Sequence, residues 1–238
     1  MGHHYTKYCG HVDEKYPEVV EKLHQVGEIA VHVHFRKKNG DFFSDYEFQK
    51  NLIENATDAL RAKGFDVVSF RGGDHFFNND TLQVLEELDY EIDSSVMQGF
   101  SRSMRDFVID HRIGKRQITM NVPYFLSHDD YLIPGASNVL EIPVTNLYFF
   151  LKRPMFFLPF PTPGHAKLGP ISNLSFLLTK MVSSLKKEIP IVFLFHDFTF
   201  SGKRSLEYLR HFIDQCSTDN NIQFVTLKEI KEKYMRNR

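Results

Sequence analysis

Two hydrophobic periods alternate along this chain. Phe48, Leu52, Ile53, Ala56, Ala59 and Leu60 recur at helical spacing behind a Ser44 or Asp45 cap and ahead of Gly64, which predicts a long amphipathic helix. Tyr16, Val19, Val20, Leu23 and Val26 repeat the pattern between Asp13 and Gly27. Further helices are expected over 78–88, 173–185, 203–216 and 227–234. Short apolar runs bounded by turn residues predict strands at 5–9, 28–34, 67–70, 91–93, 139–143, 190–196 and 223–226, with another at 118–122. Residues 127–134 and the proline-rich stretch 153–172 read as loops. The alternation favours an α/β fold with mainly parallel strands, either a barrel-like sheet or an open doubly wound one. Residues 1–238 read as a single domain.

Charge and composition narrow the function. The 238 residues are enough for a full core. Lys and Arg number 29 against 30 Asp and Glu, a formal net charge of −1. That balance argues against a nucleic-acid binder working through bulk positive charge, and against a polybasic membrane anchor. Two cysteines, Cys9 and Cys216, cannot build a disulfide framework, so a reducing compartment is expected. No apolar run reaches the roughly 18–20 residues of a membrane span. The opening Met1-Gly2-His3-His4-Tyr5 lacks the apolar stretch of a secretory signal, so a cytoplasmic location is expected.

Four groups of residues could carry chemistry. His32 and His34 share one face at the end of a predicted strand, where two imidazoles can chelate a divalent ion or simply occupy a half-exposed surface. Arg71-Gly72-Gly73-Asp74 follows the next strand; its glycines allow a tight turn, and its arginine can orient a carboxylate or sit in a surface ion pair. His196, followed by Asp197, ends the most apolar strand, as either a general acid or base or a hydrogen-bonded structural histidine. His128-Asp129-Asp130 reads as a solvated loop. The sequence has no G-x-S-x-G elbow, no phosphate-binding glycine loop and no local thiol-nucleophile signature.

Taken in order, several segments resemble the polysaccharide deacetylase family, the NodB-homology domain. They are Thr6-Lys7-Tyr8-Cys9-Gly10, the run from Glu14 to Val20, and Gly27-Glu28-Ile29-Ala30-Val31-His32. Further on come Phe70-Arg71-Gly72-Gly73, Leu88-Asp89-Tyr90-Glu91-Ile92-Asp93-Ser94-Ser95, Leu140-Glu141-Ile142-Pro143 and Leu194-Phe195-His196. The resemblance covers nearly the whole chain. It implies a distorted (β/α)7-type barrel, a divalent metal (usually zinc), and hydrolysis of the amide C–N bond of an N-acetylated sugar. It implies metal ligation by His32 and His34, general-acid action by His196, orientation of the acid and base groups by Arg71 and Asp93, and Asp74 or His75 lining the mouth. Two departures stand out. The family spacing H-x-x-x-H would put the second ligand at Arg36, and here His34 takes the role. The family's Asp-Asp pair is expected on a strand ahead of Tyr5, so the barrel is expected to lack its first strand and to expose two edges, with a homo-oligomer as one consequence. Asp129-Asp130 stands in the wrong place to replace that pair. The alternative function is a catalytically degenerate relative that binds glycan or a protein partner, with the aromatic stretch 148–160 as its contact surface.

Overall fold

In the computed structural model, residues 17–35, 45–97, 101–104, 107–110, 122–145, 190–194 and 203–236 are described. Alternation and capping build the first half. Strand β1, Val31–Val33, buries Val31 and Val33 on one face and turns His32 to the other. Helix α2, Tyr46–Arg61, starts where the Asp45 carboxylate accepts the Phe48 N–H at 2.9 Å. The turn after it closes at Gly64, whose φ of 84° suits a residue without a Cβ. Strand β2, Ser69–Gly72, leads through a 3₁₀ turn, Gly73–His75, to helix α3, Asn79–Glu87. A reciprocal capping box holds that helix: the Asn78 side chain accepts from Thr81 N–H, and Thr81 Oγ1 accepts from Asn78 N–H. Strand β3 is Ile92–Asp93.

Helix α1, Pro17–His24, precedes this βαβαβ run. It buries Val20 alone, whereas Val19, Leu23 and Val26 are exposed, so the expected apolar face of α1 is not a core face. Later elements are short. Strands β4, Ser101–Met104, and β5, Phe107–Asp110, form an antiparallel pair that the sequence pattern did not predict. Strand β6, Tyr124–Phe125, and strand β7, Leu140–Glu141, flank a loop in which Leu126 bridges Pro134. That loop is the expected one at 127–134. The main sheet runs β1-β2-β3-β7-β6; its first four strands are parallel and β6 is antiparallel to β7. Among the described residues it is open, with β1 and β6 at its edges.

The chain divides into two compact units. The first, Met1–Thr119 with Pro123–Pro143 and Thr226–Arg238, contains this sheet. Its core joins Val31, Val33 and Phe35 to Leu52 and Ile53 of α2, Phe70 of β2, and Leu82 and Leu85 of α3. Phe35 stacks at a tilt on Phe76, centroids 4.9 Å apart, and Phe70 meets Tyr90 edge-on at 6.1 Å. Several polar groups inside pair with one another: Thr57 Oγ1 lies 2.6 Å from Tyr90 Oη, and Thr81 Oγ1 donates to Gln49 Oε1 at 2.5 Å. The unit closes with helix α5, Leu227–Arg236, whose Lys231 pairs with Glu91 at 2.7 Å and whose Lys228 pairs with Asp66.

The second unit comprises Met120–Val122 and Val144–Val225. Its described helix α4, Lys203–Ser217, buries Phe212 and Cys216, and Phe212 meets Phe193 edge-on. Among the described residues, two expected strands show no ladder pairing. Residues 190–194 are half-buried without ladder pairing, although Val192 exchanges hydrogen bonds with Thr145. Residues 223–226 are an irregular approach to α5 with Phe224 and Val225 exposed, and among the described residues no strand pairs with them. The expected elements at 5–9 and 173–185, most of 118–122, and the loops at 148–160 and 153–172 lie outside the described residues.

Candidate functional site

Parallel strands end together, so four successive carboxyl ends gather the chemistry of the first unit: His34 after β1, Gly73 to His75 after β2, Ser94 and Ser95 after β3, and Ile142 after β7. Register sets the first contact. His32 pairs across the ladder with Arg71, and its ring Nδ1 lies 2.8 Å from the Arg71 carbonyl. A carbonyl oxygen only accepts, so His32 Nδ1 carries the proton. His34 Nδ1 lies 3.0 Å from Asp74 Oδ2, and the ionised carboxylate likewise assigns the proton to Nδ1.

The consequence falls on the opposite nitrogens. His32 Nε2 and His34 Nε2 face each other at 3.2 Å, with ring planes 82° apart. With both Nδ1 atoms protonated, each Nε2 presents a lone pair. Two lone pairs at this separation repel unless a cation lies between them, either a shared proton or a metal ion. Two nitrogens each about 2.0–2.1 Å from a tetrahedral zinc would lie ~3.3 Å apart. Metal-binding imidazoles also characteristically give their other N–H to a carbonyl or carboxylate, as both rings do here. The donor chemistry therefore fits a divalent ion. Among the described residues no group of three or more His, Cys, Asp and Glu side chains is arranged to hold one, because Asp74 meets His34 on the Nδ1 side.

The turn carrying Asp74 is tightly specified. Asp74 and His75 both have left-handed backbones, φ 56° and 63°. Strain of about 1–3 kcal/mol per such residue is typical of functional turns. A Cβ on Gly73 would come within 2.4 Å of the His34 ring, and one on Gly72 within 1.9 Å of the Phe76 carbonyl oxygen. Both glycines are therefore required by close approach rather than by their own φ. His75 Nδ1 lies 3.0 Å from the Ser95 carbonyl, and the Ser95 hydroxyl accepts the Gly72 N–H at 2.8 Å.

Beneath the turn lies a buried ionisable cluster. Arg71 donates through Nε to the Ser94 carbonyl and through Nη2 to Ser94 Oγ, both at 2.8 Å, so it is no surface ion pair. Asp93 is fully buried and accepts from Ser95 Oγ at 2.6 Å and Ser95 N–H at 3.1 Å. Its partner across the β3–β7 ladder is Glu141, also fully buried. Burial raises the pKa of Asp93, opposed by hydrogen bonds from Glu141 and Ser95 and by the Arg71 charge. Burial raises Glu141 further, and Asp93 adds to the effect. Burial draws the Arg71 guanidinium down, opposed by the two acids. The resemblance implies an orienting role for Arg71 and Asp93 and none for Glu141. Its available signal was an acid between Leu140 and Ile142 in an otherwise apolar strand.

The other predicted residues separate from this group. His128 pairs with Glu86 of α3 at 3.0 Å, and Asn79 donates to the carbonyls of His128 and Asp129. Asp130 accepts from Leu132 N–H, so this stretch is a pinned loop, as expected. His196 and Asp197 lie outside the described residues. No described helix is long and apolar enough to cross a membrane.

Comparison with solved structures places this α/β arrangement in a known fold. A Mycobacterium smegmatis protein provisionally designated a polysaccharide deacetylase superposes with a TM-score of 0.61 at 18% identity, over 96% of this chain and 70% of its own. A 4-alpha-glucanotransferase from Thermococcus litoralis superposes with a TM-score of 0.56 at 17% identity, over 93% of this chain but 32% of its own, so this chain spans about a third of that enzyme. At such identities the likeness establishes the fold. No family model matches the sequence, and no curated protein matches it.

Proposed function

We propose that this chain is a divalent-metal-dependent carbohydrate deacetylase that hydrolyses the amide C–N bond of an N-acetylated sugar. The observation that carries the reading is the facing His32 and His34 Nε2 pair at 3.2 Å, each ring fixed by an acceptor behind it. The fold likeness to the Mycobacterium smegmatis protein supports it, as does the order of sequence segments from Phe70-Arg71-Gly72-Gly73 to Leu194-Phe195-His196. The same proposal takes the fold as a distorted barrel in one domain and the location as cytoplasmic.

His32 and His34 would hold the ion, most suitably zinc given imidazole donors, and the ion would supply a polarised acetyl carbonyl and an activated water. The chain's own residues do the rest. Asp74 and the Arg71 carbonyl keep both imidazoles in the Nδ1–H form, so that the lone pairs point inward. Asp74 and His75 line the mouth. As water adds to the acetyl carbon its proton passes to the Asp74 carboxylate, and as the C–N bond breaks His196, the proposed general acid, gives the leaving amine a proton. Arg71 and Asp93 hold the turn that presents Asp74.

Metal content of the purified protein, measured by mass spectrometry beside a His32→Ala/His34→Ala variant and followed by acetate release from N-acetylated sugars, tests the reading. About one divalent ion per chain, lost in the variant together with acetate release, is expected. Absence of metal after zinc loading would overturn the deacetylase reading in favour of a glycan- or protein-binding relative.

A further inference from the structure

We propose that Glu141 is held as the neutral acid and shares its proton with Asp93, and that this buried pair is the positioning device of the His34–Asp74 turn. Its role in catalysis rests on the deacetylase reading; its protonation state does not.

Three observations on geometry carry the inference. First, Asp93 and Glu141 are ladder partners on adjacent parallel strands, and both side chains are fully buried. Second, their polar atoms do not balance if both are ionised. Glu141 Oε1 accepts the Val96 N–H at 3.1 Å, but among the described residues Oε2 has no N–H or hydroxyl donor. Its neighbour is the Asp93 carboxyl, another acceptor. A proton on Glu141 converts the carboxyl–carboxyl contact into an O–H···O bond. Third, the charges balance only with that proton. Arg71 supplies the one cation found in the cluster among the described residues, and its Nε and Nη2 donate to Ser94. Arg71⁺ with Asp93⁻ and neutral Glu141 is uncharged overall, whereas two carboxylates would leave an uncompensated buried charge.

From the pair, a chain of bonds leads to the site. Asp93 accepts from Ser95 Oγ, Ser95 Oγ accepts from Gly72 N–H, and Gly73 packs directly against the His34 ring. The Ser95 carbonyl meets His75. The ionisable groups facing the pair are Arg71 on β2 and Tyr124 on β6, the latter paired with Glu141 in the ladder and donating its hydroxyl to the Tyr131 carbonyl. Burial, with Glu141 and Asp93 adding to it, pushes the Tyr124 hydroxyl well up, so Tyr124 stays neutral.

The test uses metal-free full-length protein without substrate. Infrared spectra of protein labelled with ¹³C-carboxyl glutamate are recorded at pH 8, where ordinary glutamates are ionised. We expect one isotope-shifted protonated-acid carbonyl band, absent in Glu141→Gln and lost in Asp93→Asn, where the Arg71 charge takes over stabilisation of an ionised Glu141. Glu141→Gln keeps the donor and should retain the wild-type ¹⁵N-imidazole signature of an Nδ1-protonated His34; Glu141→Leu removes it and should lose that signature. Absence of the band in wild-type protein overturns the protonation, whether or not any variant folds. A retained His34 signature in folded Glu141→Leu overturns the positioning role. None of these readouts needs metal or turnover, so failure of the deacetylase reading shows separately, in metal content and acetate release.

Discussion

His32 and His34 point their Nε2 atoms at one another across 3.2 Å while each gives its Nδ1 proton to a fixed acceptor. Two lone pairs turned toward each other at this distance call for a cation between them, a shared proton or a metal ion. Zinc should therefore stabilise the folded chain. At a free concentration 100 times Kd, linkage gives about 2.7 kcal/mol, read as a raised Tm that His32→Ala or His34→Ala abolishes. An unchanged Tm in the wild-type protein would count against the metal reading.

Asp74→Asn is the sharper probe of the ring behind the ligand. Asparagine tolerates the left-handed backbone at φ 56° and keeps a neutral acceptor for His34. The fold should be unchanged within about 0.5 kcal/mol. Zinc affinity should drop ~10–100-fold, the usual effect of losing an outer-shell partner. Calorimetric titration beside urea unfolding separates the two.

Gly73→Ala should act through the neighbour rather than through backbone strain. The added methyl would lie 2.4 Å from the His34 ring, so the ring must move and its bond to Asp74 must break. Overpacking of this kind costs about 1–3 kcal/mol, and metal affinity should fall further than in Asp74→Asn. Retained affinity would show that the turn yields instead of His34.

Far from the site, Asn78→Ala tests the capping box. It removes the acceptor of the Thr81 N–H and of Gln49 Nε2 together. The loss should reach about 1–3 kcal/mol, a cap together with an unpaired buried donor. A change in the urea midpoint without a change in m-value is the expected signature.

Two glutamates should tilt stability against pH in opposite directions. Hydrogen bonds from Lys50, Tyr46 and Gln83 pull Glu87 from 4.5 down to about 2. Below 4.5 the unfolded chain binds the proton first, so this contribution is present above 4.5 and is lost as pH falls towards 2. Glu141 is raised, chiefly by burial, so the folded chain holds its proton longer and stability declines as pH rises above 4.5. Glu87→Gln should flatten the acid limb of a stability-versus-pH curve, and Glu141→Gln the decline above 4.5.

Local chemistry made half of this legible in the sequence. The Asp45 cap, the Gly64 stop and the 78–88 helix each depend on a few adjacent residues, and the structure reproduces them within a residue or two. The shared face of His32 and His34 followed from the two-residue period of a strand. What failed depended on partners distant in sequence. Val19, Leu23 and Val26 have the spacing of a core face but lie exposed. Residues 223–226 have strand composition but no ladder. Gln49 and Thr57 are polar yet fully buried, because Thr81 and Tyr90 satisfy them from other elements. The pairing of Asp93 with Glu141 is a fact of register, and no local pattern announces it.

The His32 ring takes its orientation from a main-chain carbonyl, whereas His34 takes its own from a side chain. The two proposed ligands therefore differ in mutational exposure. A single base change can alter Asp74 and release His34. No exchange of the side chain at position 71 deletes the acceptor that holds His32, because every amino acid brings the same carbonyl. One half of the proposed chelate is written in the hydrogen-bond register of the sheet and drifts only if the strand slips. The other half is written in one codon, and that is the half along which descendants of this chain could gain or lose the proposed ion.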